Sequence, residues 1–151
     1  MTTLSRVTNA YMVISSPGYY ELTVDIIDGD YTVGIYINAS DVIFNGNDHL
    51  LDAVDNDSTY GIWIDNADNV TIKNIIKNTT DPDWGAIHAS SSGNITIVGN
   101  KIIDNAQGIH LYNGNNGNIT NNMLVNSNIS IEDYSNVVVS KNNVAISELL
   151  G

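Results

Sequence analysis

The chain has 151 residues with 17 acidic and 5 basic side chains, which gives a formal charge of −12, and it contains no cysteine. That charge repels phosphate backbones and anionic lipids, so nucleic-acid binding and electrostatic docking to membranes are not expected, whereas cations, neutral glycans and proteins remain suitable partners. The hydrophobic content of 42% is enough for one domain with a buried core, and the lack of cysteine excludes disulfides, thiolate metal sites and cysteine catalysis.

The N-terminal region, residues 1–40, is predicted to form a capping coil with the first strands. It contains no clean repeat, and it has tyrosines available to cover the end of a core. Residues 1–6 lack the basic-then-apolar pattern of a signal peptide, and no apolar run approaches about 18 residues. Membrane insertion is therefore not expected, and the chain is either an intracellular protein or a mature or trimmed one. We expect the latter, outside the cell or on its surface.

From residue 34 onward the chain repeats itself. A pattern close to Gly-Ile-x-Ile, followed by Asn-(Val/Ile)-Thr-Ile, begins at positions 34, 61, 86, 108 and 128, so successive repeats differ by 27, 25, 22 and 20 residues. Within each repeat, apolar and polar residues alternate as in a half-buried strand, and Asn, Asp, Ser and Gly separate the short runs. These features predict an all-β parallel solenoid of about five to six coils over residues 34–146, with a short tail at 147–151.

Asparagine is expected to turn the corners of this solenoid, while the 21 Ile residues fill its core. An Asn can adopt a left-handed backbone conformation, and its amide can bond to the coils above and below. One Asn follows the second strand of each repeat, and these five are predicted to form an internal ladder: Asn47, Asn74, Asn100, Asn122 and Asn142.

The repeats resemble a known family over roughly residues 14–146. The pattern Gly-Ile-x-Ile with Asn-(Val/Ile)-Thr-Ile-x-Asn is similar to the right-handed parallel β-helix repeats of the pectin-lyase-like superfamily. It is more closely similar to the group named for the periplasmic copper-binding β-helix protein of nitrous oxide reductase maturation, whose repeats occur in many archaeal and bacterial surface proteins. The resemblance implies a single-stranded right-handed β-helix and, as one function, a copper-binding accessory protein. The shared residues build the coil, so they bear on fold more than on function.

Alternation in the first strand of each repeat predicts two outward columns of side chains, because the Ile at the start of each strand points inward. The first column is Tyr36, Trp63, His88, His110 and Ser130, and the second is Asn38, Asp65, Ser90, Tyr112 and Glu132. Aromatic rings beside amides and carboxylates suit a glycan, whose candidate contacts are Tyr36, Trp63, Asp65, His88, His110, Tyr112 and Glu132.

The same columns also offer a candidate metal site. His88 and His110 are predicted to lie one coil apart, close enough to chelate Cu²⁺ or Zn²⁺, with Asp65 or Glu132 as an offset third ligand. The alternative is that both histidines are ordinary polar surface residues.

Two longer loops carry acids that could form a loose Ca²⁺ site or be solvated turn residues: Asp52, Asp55, Asp57, Asp81 and Asp83. An EF-hand is excluded, because Tyr60 stands where that loop needs Gly and Asn66 where it needs a bidentate Glu. Seven Asn-x-Ser/Thr sequons favour a glycosylated surface protein: Asn38, Asn56, Asn69, Asn78, Asn94, Asn118 and Asn128.

Three functions remain open. The leading hypothesis is a non-catalytic extracellular or cell-surface structural subunit. Its last repeat runs into the tail without an amphipathic cap, so either the tail acts as a lid, the chain is part of a longer solenoid, or copies stack end to end into filaments. The alternatives are a carbohydrate-binding or carbohydrate-active module and a copper-binding accessory protein. An enzyme is disfavoured, because none of the five basic residues is placed beside a pair of acids on the proposed face. No cofactor is required, although calcium or copper would fit the acidic chain.

Overall fold

The computed structural model describes residues 4–7, 11–27, 33–52, 60–78, 85–104 and 107–146. These residues form β-strands joined by short turns, and none of them forms a helix long and apolar enough to cross a membrane. The strands are β1 (Leu4–Val7), β2 (Met12–Ile14), β3 (Gly18–Leu22), β4 (Ile26–Ile27), β5 (Val33–Ile37), β6 (Val42–Asn45), β7 (Leu51–Asp52), β8 (Tyr60–Asp65), β9 (Val70–Lys73), β10 (Ile76–Asn78), β11 (Gly85–Ser90), β12 (Gly93–Val98), β13 (Lys101–Ile103), β14 (Ile109–Thr120), β15 (Met123–Val125), β16 (Ile129–Ser140) and β17 (Asn143–Ala145).

All strand pairs are parallel, and the strands stack on three faces of a β-solenoid of about five turns. The first face contains β2, β5, β8, β11 and the N-terminal halves of β14 and β16. The second contains β1, β3, β6, β9, β12 and the C-terminal halves of β14 and β16. The third contains β10, β13, β15 and β17, and the β4–β7 pair joins it through a bridge between Leu50 and Ile76. The predicted all-β parallel solenoid is therefore confirmed.

The core consists of aliphatic side chains stacked from coil to coil. On the first face Ile35, Ile62, Ile87 and Ile109 are in register, and each is at most 1% exposed. The second face adds similar buried columns that include Phe44, Ile72, Ile97 and Ile119. Burial of one such side chain contributes about 1.5–3 kcal/mol, so these columns are the main source of stability.

The corners between faces explain most of the asparagine content. Of the 17 described non-glycine residues with positive φ, ten are Asn and four are Asp. They form columns along the solenoid, such as Asp41, Asn69, Asn94, Asn116 and Asn136 between the first and second faces. Short polar side chains tolerate the left-handed conformation, so Asn and Asp let each coil turn sharply.

An internal asparagine ladder runs through three coils. The Asn100 amide donates to Oδ1 of Asn122 at 3.0 Å, and the Asn122 amide donates to Oδ1 of Asn142 at 3.0 Å. The same oxygens also accept the backbone N–H groups of Asn100 and Asn122, at 3.0 and 2.9 Å. Asn100 and Asn122 are each only 2% exposed, so these bonds satisfy polar groups inside the core.

The other two predicted ladder residues, Asn74 and Asn47, depart from the sequence prediction in different ways. Asn74 lies one position before the ladder, in the left-handed column, and Ile75 takes the ladder position in that coil and donates its backbone N–H to Oδ1 of Asn100 at 2.9 Å. Asn47 has the ladder register, but its amide donates to the carbonyl of Leu22 at 2.9 Å. The sequence prediction assigned both the left-handed turn and the ladder amide to one Asn. In the later coils one residue adopts the left-handed conformation and the next residue provides the ladder amide.

The two ends of the described solenoid differ. At the N-terminal end Val7, Ile14 and Leu22 are at most 1% exposed. In the last coil, Val139 and Val144 occupy core positions in register with Ile119 and Leu124, yet they are 47% and 56% exposed. The core is therefore open at the β16–β17 coil of the part that the structure describes.

Candidate functional site

The first face aligns the side chains of the two outward columns. Trp63 is in register with Tyr36 on one side and His88 on the other, and His110 follows His88. Beside them, Asp65, Ser90, Tyr112 and Glu132 are in register across β8, β11, β14 and β16. The columns arise because the strands alternate inward Ile and outward polar or aromatic residues, and the parallel register stacks equivalent positions.

His88 and His110 form a direct pair. Their Nδ1 atoms are 3.0 Å apart, and Nε2 of His110 is 3.0 Å from Oε1 of Glu132. A carboxylate only accepts, so Nε2 of His110 donates to Glu132; when this is the only proton on the ring, Nδ1 of His110 accepts the Nδ1–H of His88. Ser130 also donates to Oε1 of Glu132, at 3.4 Å. Glu132 thus fixes the orientation and tautomer of His110.

His88 projects from the outward column but is only 6% exposed, because neighbouring rings cover it. The Tyr60 ring stacks on the His88 ring with centroids 4.3 Å apart and planes 13° apart, and Trp63 lies at 6.2 Å. Burial, together with the neighbouring His110, lowers the pKa of His88 to about 4, although Asp65 and Glu132 act in the opposite direction. His88 is therefore a neutral imidazole at neutral pH.

Tyr60 is the residue of this site that sequence reasoning missed. Strict alternation from Ile62 assigns it to the core, but Gly61 and Ile62 are both buried, and this break in the alternation turns Tyr60 outward. The ring fits there because its register partner is Gly85, where an added Cβ would lie 3.2 Å from Cδ1 of Tyr60. A Tyr opposite a Gly in the next repeat was the signal available in the sequence.

A second cluster is centred on Asp65. Tyr36 donates its hydroxyl to Oδ2 at 2.7 Å, and Ser90 and Asn66 donate to Oδ1 at 3.2 and 3.1 Å. Trp63 donates its indole N–H to Oγ of Ser90 at 2.8 Å. The hydrogen bond to Asp65 raises the pKa of Tyr36. These polar groups bond to one another, and the rings of Tyr36 and Trp63 pack edge to face at 5.2 Å.

The histidine pair offers two nitrogen atoms that could ligate a metal ion. Two nitrogens that each lie about 2.0 Å from one ion are roughly 2.8–4.0 Å apart, and the two Nδ1 atoms fall in that range at 3.0 Å. Imidazole is a suitable copper ligand, and a ligating His commonly donates its other N–H to a carboxylate, as His110 does to Glu132.

The expected third ligand does not join the pair. Within the described ranges, no group of three or more His, Asp or Glu side chains is arranged to hold a metal ion. Glu132 contacts the nitrogen of His110 that faces away from His88, and Asp65 is held by Tyr36, Ser90 and Asn66.

The other predicted sites fall partly outside the described residues. Of the calcium candidates only Asp52 is described, in β7; Asp55, Asp57, Asp81 and Asp83 lie outside, as do the sequon at Asn56 and the tail at 147–151. The six other sequon asparagines are exposed: Asn38, Asn69, Asn78, Asn94, Asn118 and Asn128. Two of them already use their amides, since Asn69 donates to Asp41 at 2.7 Å and Asn94 to Asn69 at 3.2 Å.

A comparison with known protein families identifies the family of this chain. The family model described as "NosD: Periplasmic copper-binding protein (NosD)" matches residues 5–148. No curated protein and no solved structure matches the chain.

Proposed function

We propose that this chain, which belongs to the NosD family of periplasmic copper-binding proteins, binds a copper ion between the imidazoles of His88 and His110. The observation that carries the proposal is the 3.0 Å separation of the two Nδ1 atoms, with Glu132 hydrogen-bonded to the opposite nitrogen of His110. The ion is cargo here, and the chain supplies a site from which it can be taken up and released.

The residues around the pair favour this role. The low pKa of His88 keeps its ring neutral, as a nitrogen ligand must be. An ion bound to both Nδ1 atoms would require His88 to carry its proton on Nε2 instead of Nδ1, while the Nε2–H of His110 would still donate to Glu132. The His110 side chain is 12% exposed, so the pair is close to the surface and can exchange its cargo.

The family description also bears on location. It names the periplasm, which agrees with the expectation of a chain outside the cytoplasm, and we propose a periplasmic or cell-surface site of action.

A copper titration followed by calorimetry tests the proposal. One ion is expected per chain, and His88→Phe and His110→Phe should each abolish the binding heat. Phenylalanine suits the aromatic surroundings, and circular dichroism checks that the variants are folded. His49 provides the matched control, because it is the third histidine and contacts Asp25 at 3.0 Å instead of the pair. His49→Phe should bind copper normally; full binding by both His88 and His110 variants would refute the site.

Glycan binding stays a prediction, as an alternative use of the same surface. The rings of Tyr36 and Trp63 pack against each other, and Asp65 is held by side chains of the protein, so a glycan would have to displace these contacts. Binding to a glycan array that is unchanged in Trp63→Ala would remove this alternative.

A further inference from the structure

We infer that two copies of this chain join tail to tail: their open β16–β17 coils face each other across a twofold axis and form a closed dimer. The contact is carried by the C-terminal half of β16, residues 137–140. The inference concerns an interaction surface and does not depend on the proposed function.

The first support is the long free edge of the last coil. Within the part of the chain that the structure describes, β16 pairs along its 12 residues with β14 and has no strand on its other side, and β17 pairs with β15 alone. Proteins commonly protect such an edge with lysine or proline. Residues 136–140 read Asn-Val-Val-Val-Ser and contain neither of these and no charge. This β-branched run is therefore suited to pair with another strand.

The second support is the difference between the two ends of the described solenoid. Val139 and Val144 hold core positions yet are 47% and 56% exposed, whereas Val7, Ile14 and Leu22 at the other end are at most 1% exposed. Head-to-tail stacking would place the open core against an end whose core is already covered. Two open ends bury each other instead, and such an isologous contact closes as a dimer and does not grow into a filament.

The third support is the register that a twofold axis through Val138 produces. Antiparallel pairing about this residue places Val138 opposite itself and Val137 opposite Val139 of the other copy. Val137 packs against the core, and Val139 is in register with the buried Ile119. The pairing thus joins inward positions to inward positions, so the two cores become continuous and the edge N–H and C=O groups are bonded.

The fourth support is complementary charge at the ends of the paired segment. The same axis places Lys141 opposite Ser135 of the other copy, and therefore two positions from Asp133 of that copy. Diagonal neighbours in an antiparallel pair are about 7–8 Å apart, within reach of a long side chain. Both Lys141 and Asp133 are exposed. The dimer contains this pair twice, which favours association of two chains that each carry a charge of −12.

A cysteine cross-link tests the axis directly, because the chain contains no cysteine of its own. In Val138→Cys the two introduced thiols lie on the axis, with Cα atoms about 4.5–5.5 Å apart, a separation that a disulfide spans. Mild oxidation of the full chain in dilute solution should give a disulfide-linked dimer on a non-reducing gel. Ile43→Cys is the matched control, since Ile43 is exposed in the same outward column of the second face but lies several coils away. It should remain uncross-linked.

Sedimentation equilibrium tests the charge pair. Lys141→Glu should raise the dissociation constant of the dimer at least about tenfold, because two opposite-charge contacts become like-charge contacts. Lys141→Arg keeps the charge and should leave the dissociation constant unchanged. Circular dichroism checks that the variants are folded.

The possible results separate the parts of the inference. Equal cross-linking of Val138→Cys and Ile43→Cys would refute the twofold contact, and so would growth beyond the dimer as the concentration rises. A wild-type chain that stays monomeric would refute the dimer and leave the open coil to another occupant, such as residues 147–151. A dissociation constant unchanged in Lys141→Glu would refute the assigned charge pair. Copper binding should be the same in Val138→Cys as in wild type if the two surfaces are independent, and its loss there would contradict that independence.

Discussion

One proton lies between the Nδ1 atoms of His88 and His110, and the neighbouring side chains determine which of the two nitrogens carries it. The Nε2–H of His110 donates to Glu132, and burial of His88 disfavours a positive charge on its ring. The pair is therefore specified by three separate elements of the first face: β11 supplies His88, β14 supplies His110 and β16 supplies Glu132.

The first prediction at this scale concerns pH. The pKa of His88 is about 4 in the folded chain against an ordinary value of 6.5, so below pH 6.5 the unfolded state binds more protons. The free energy of unfolding should therefore be highest above pH 6.5 and should fall by on the order of 1–3 kcal/mol as the pH is lowered towards 4. Urea denaturation at a series of pH values measures this. His88→Phe should show a flatter profile in this window, and an identical slope in the variant would contradict the assignment.

The second residue-scale prediction concerns Asn122, which is buried and bonded in four directions. Its amide donates to the Ile97 carbonyl at 2.9 Å and to Asn142, and its oxygen accepts two N–H groups of Asn100. Asn122→Ala leaves these groups unsatisfied, so the free energy of unfolding should fall by about 2–4 kcal/mol in urea denaturation. The exposed Asn118 is the control, since Asn118→Ala should change it by less than about 0.5 kcal/mol. An equal loss in the free energy of unfolding in the two variants would contradict a stabilising role of the ladder.

At the scale of single strands, β14 and β16 differ from the earlier ones because each runs for 12 residues through the corner between two faces. Gly114 lies in the corner of β14, in register with Tyr134 of β16. A Cβ there would collide with the carbonyl of Ser92 and with the Tyr134 ring, which lies over it and donates its hydroxyl to Ser92 O at 2.7 Å. The small residue thus lets Tyr134 close the corner.

Gly114→Ala should therefore be destabilising by about 1–3 kcal/mol, because overpacking displaces either the Ser92 carbonyl or the Tyr134 ring. For a chain of this length each kcal/mol lowers the melting temperature by roughly 2–4 °C, so the expected drop is about 2–12 °C, which circular dichroism can follow. Asn115→Ala, at the exposed neighbouring position, should melt like wild type. An unchanged Tm for Gly114→Ala would mean that the corner has room that the structure does not show.

The sequence was sufficient for the strands of the first face and for the adjacency of His88 and His110. Both follow from the repeat spacing and from alternation, since a one-residue error in register would place the Ile residues outside. It was not sufficient where the alternation breaks or where the register shifts by one residue. The outward position of Tyr60 depends on the burial of both Gly61 and Ile62, which strict alternation does not allow. The ladder position is taken by Ile75 instead of Asn74 because of a local register that composition does not reveal.

In the molecule as a whole, each coil contacts mainly its neighbours. A central coil is therefore stabilised by two neighbouring coils and an end coil by one. The earlier hypothesis of end-to-end stacking stays a prediction, with a second copy of this chain on the open β16–β17 coil. Core positions Val139 and Val144 are exposed there, and the coil carries only two acids and one lysine in a chain of charge −12. Repulsion between copies at this coil is therefore weak relative to the charge of the whole chain.

Sedimentation velocity over a range of concentrations checks this prediction. Wild type should shift towards dimer as the concentration rises, and Val139→Lys, which places a charge on the open core, should remain monomeric. Ile43→Lys is the control, because Ile43 is exposed on the second face away from the end coil. A monomer at every concentration tested would remove the stacking hypothesis and leave the copper proposal untouched.

Because the coils are stacked in strict register, the number of coils can change without altering the histidine pair. His88 and His110 are 22 residues apart in sequence but adjacent in space, because one turn of the solenoid separates them. An extra coil inserted between them would move the imidazoles to about twice the 4.8 Å strand spacing and break the pair. The same coil inserted before Tyr36 would lengthen the solenoid and leave the pair intact, so chains of many lengths can keep one and the same site.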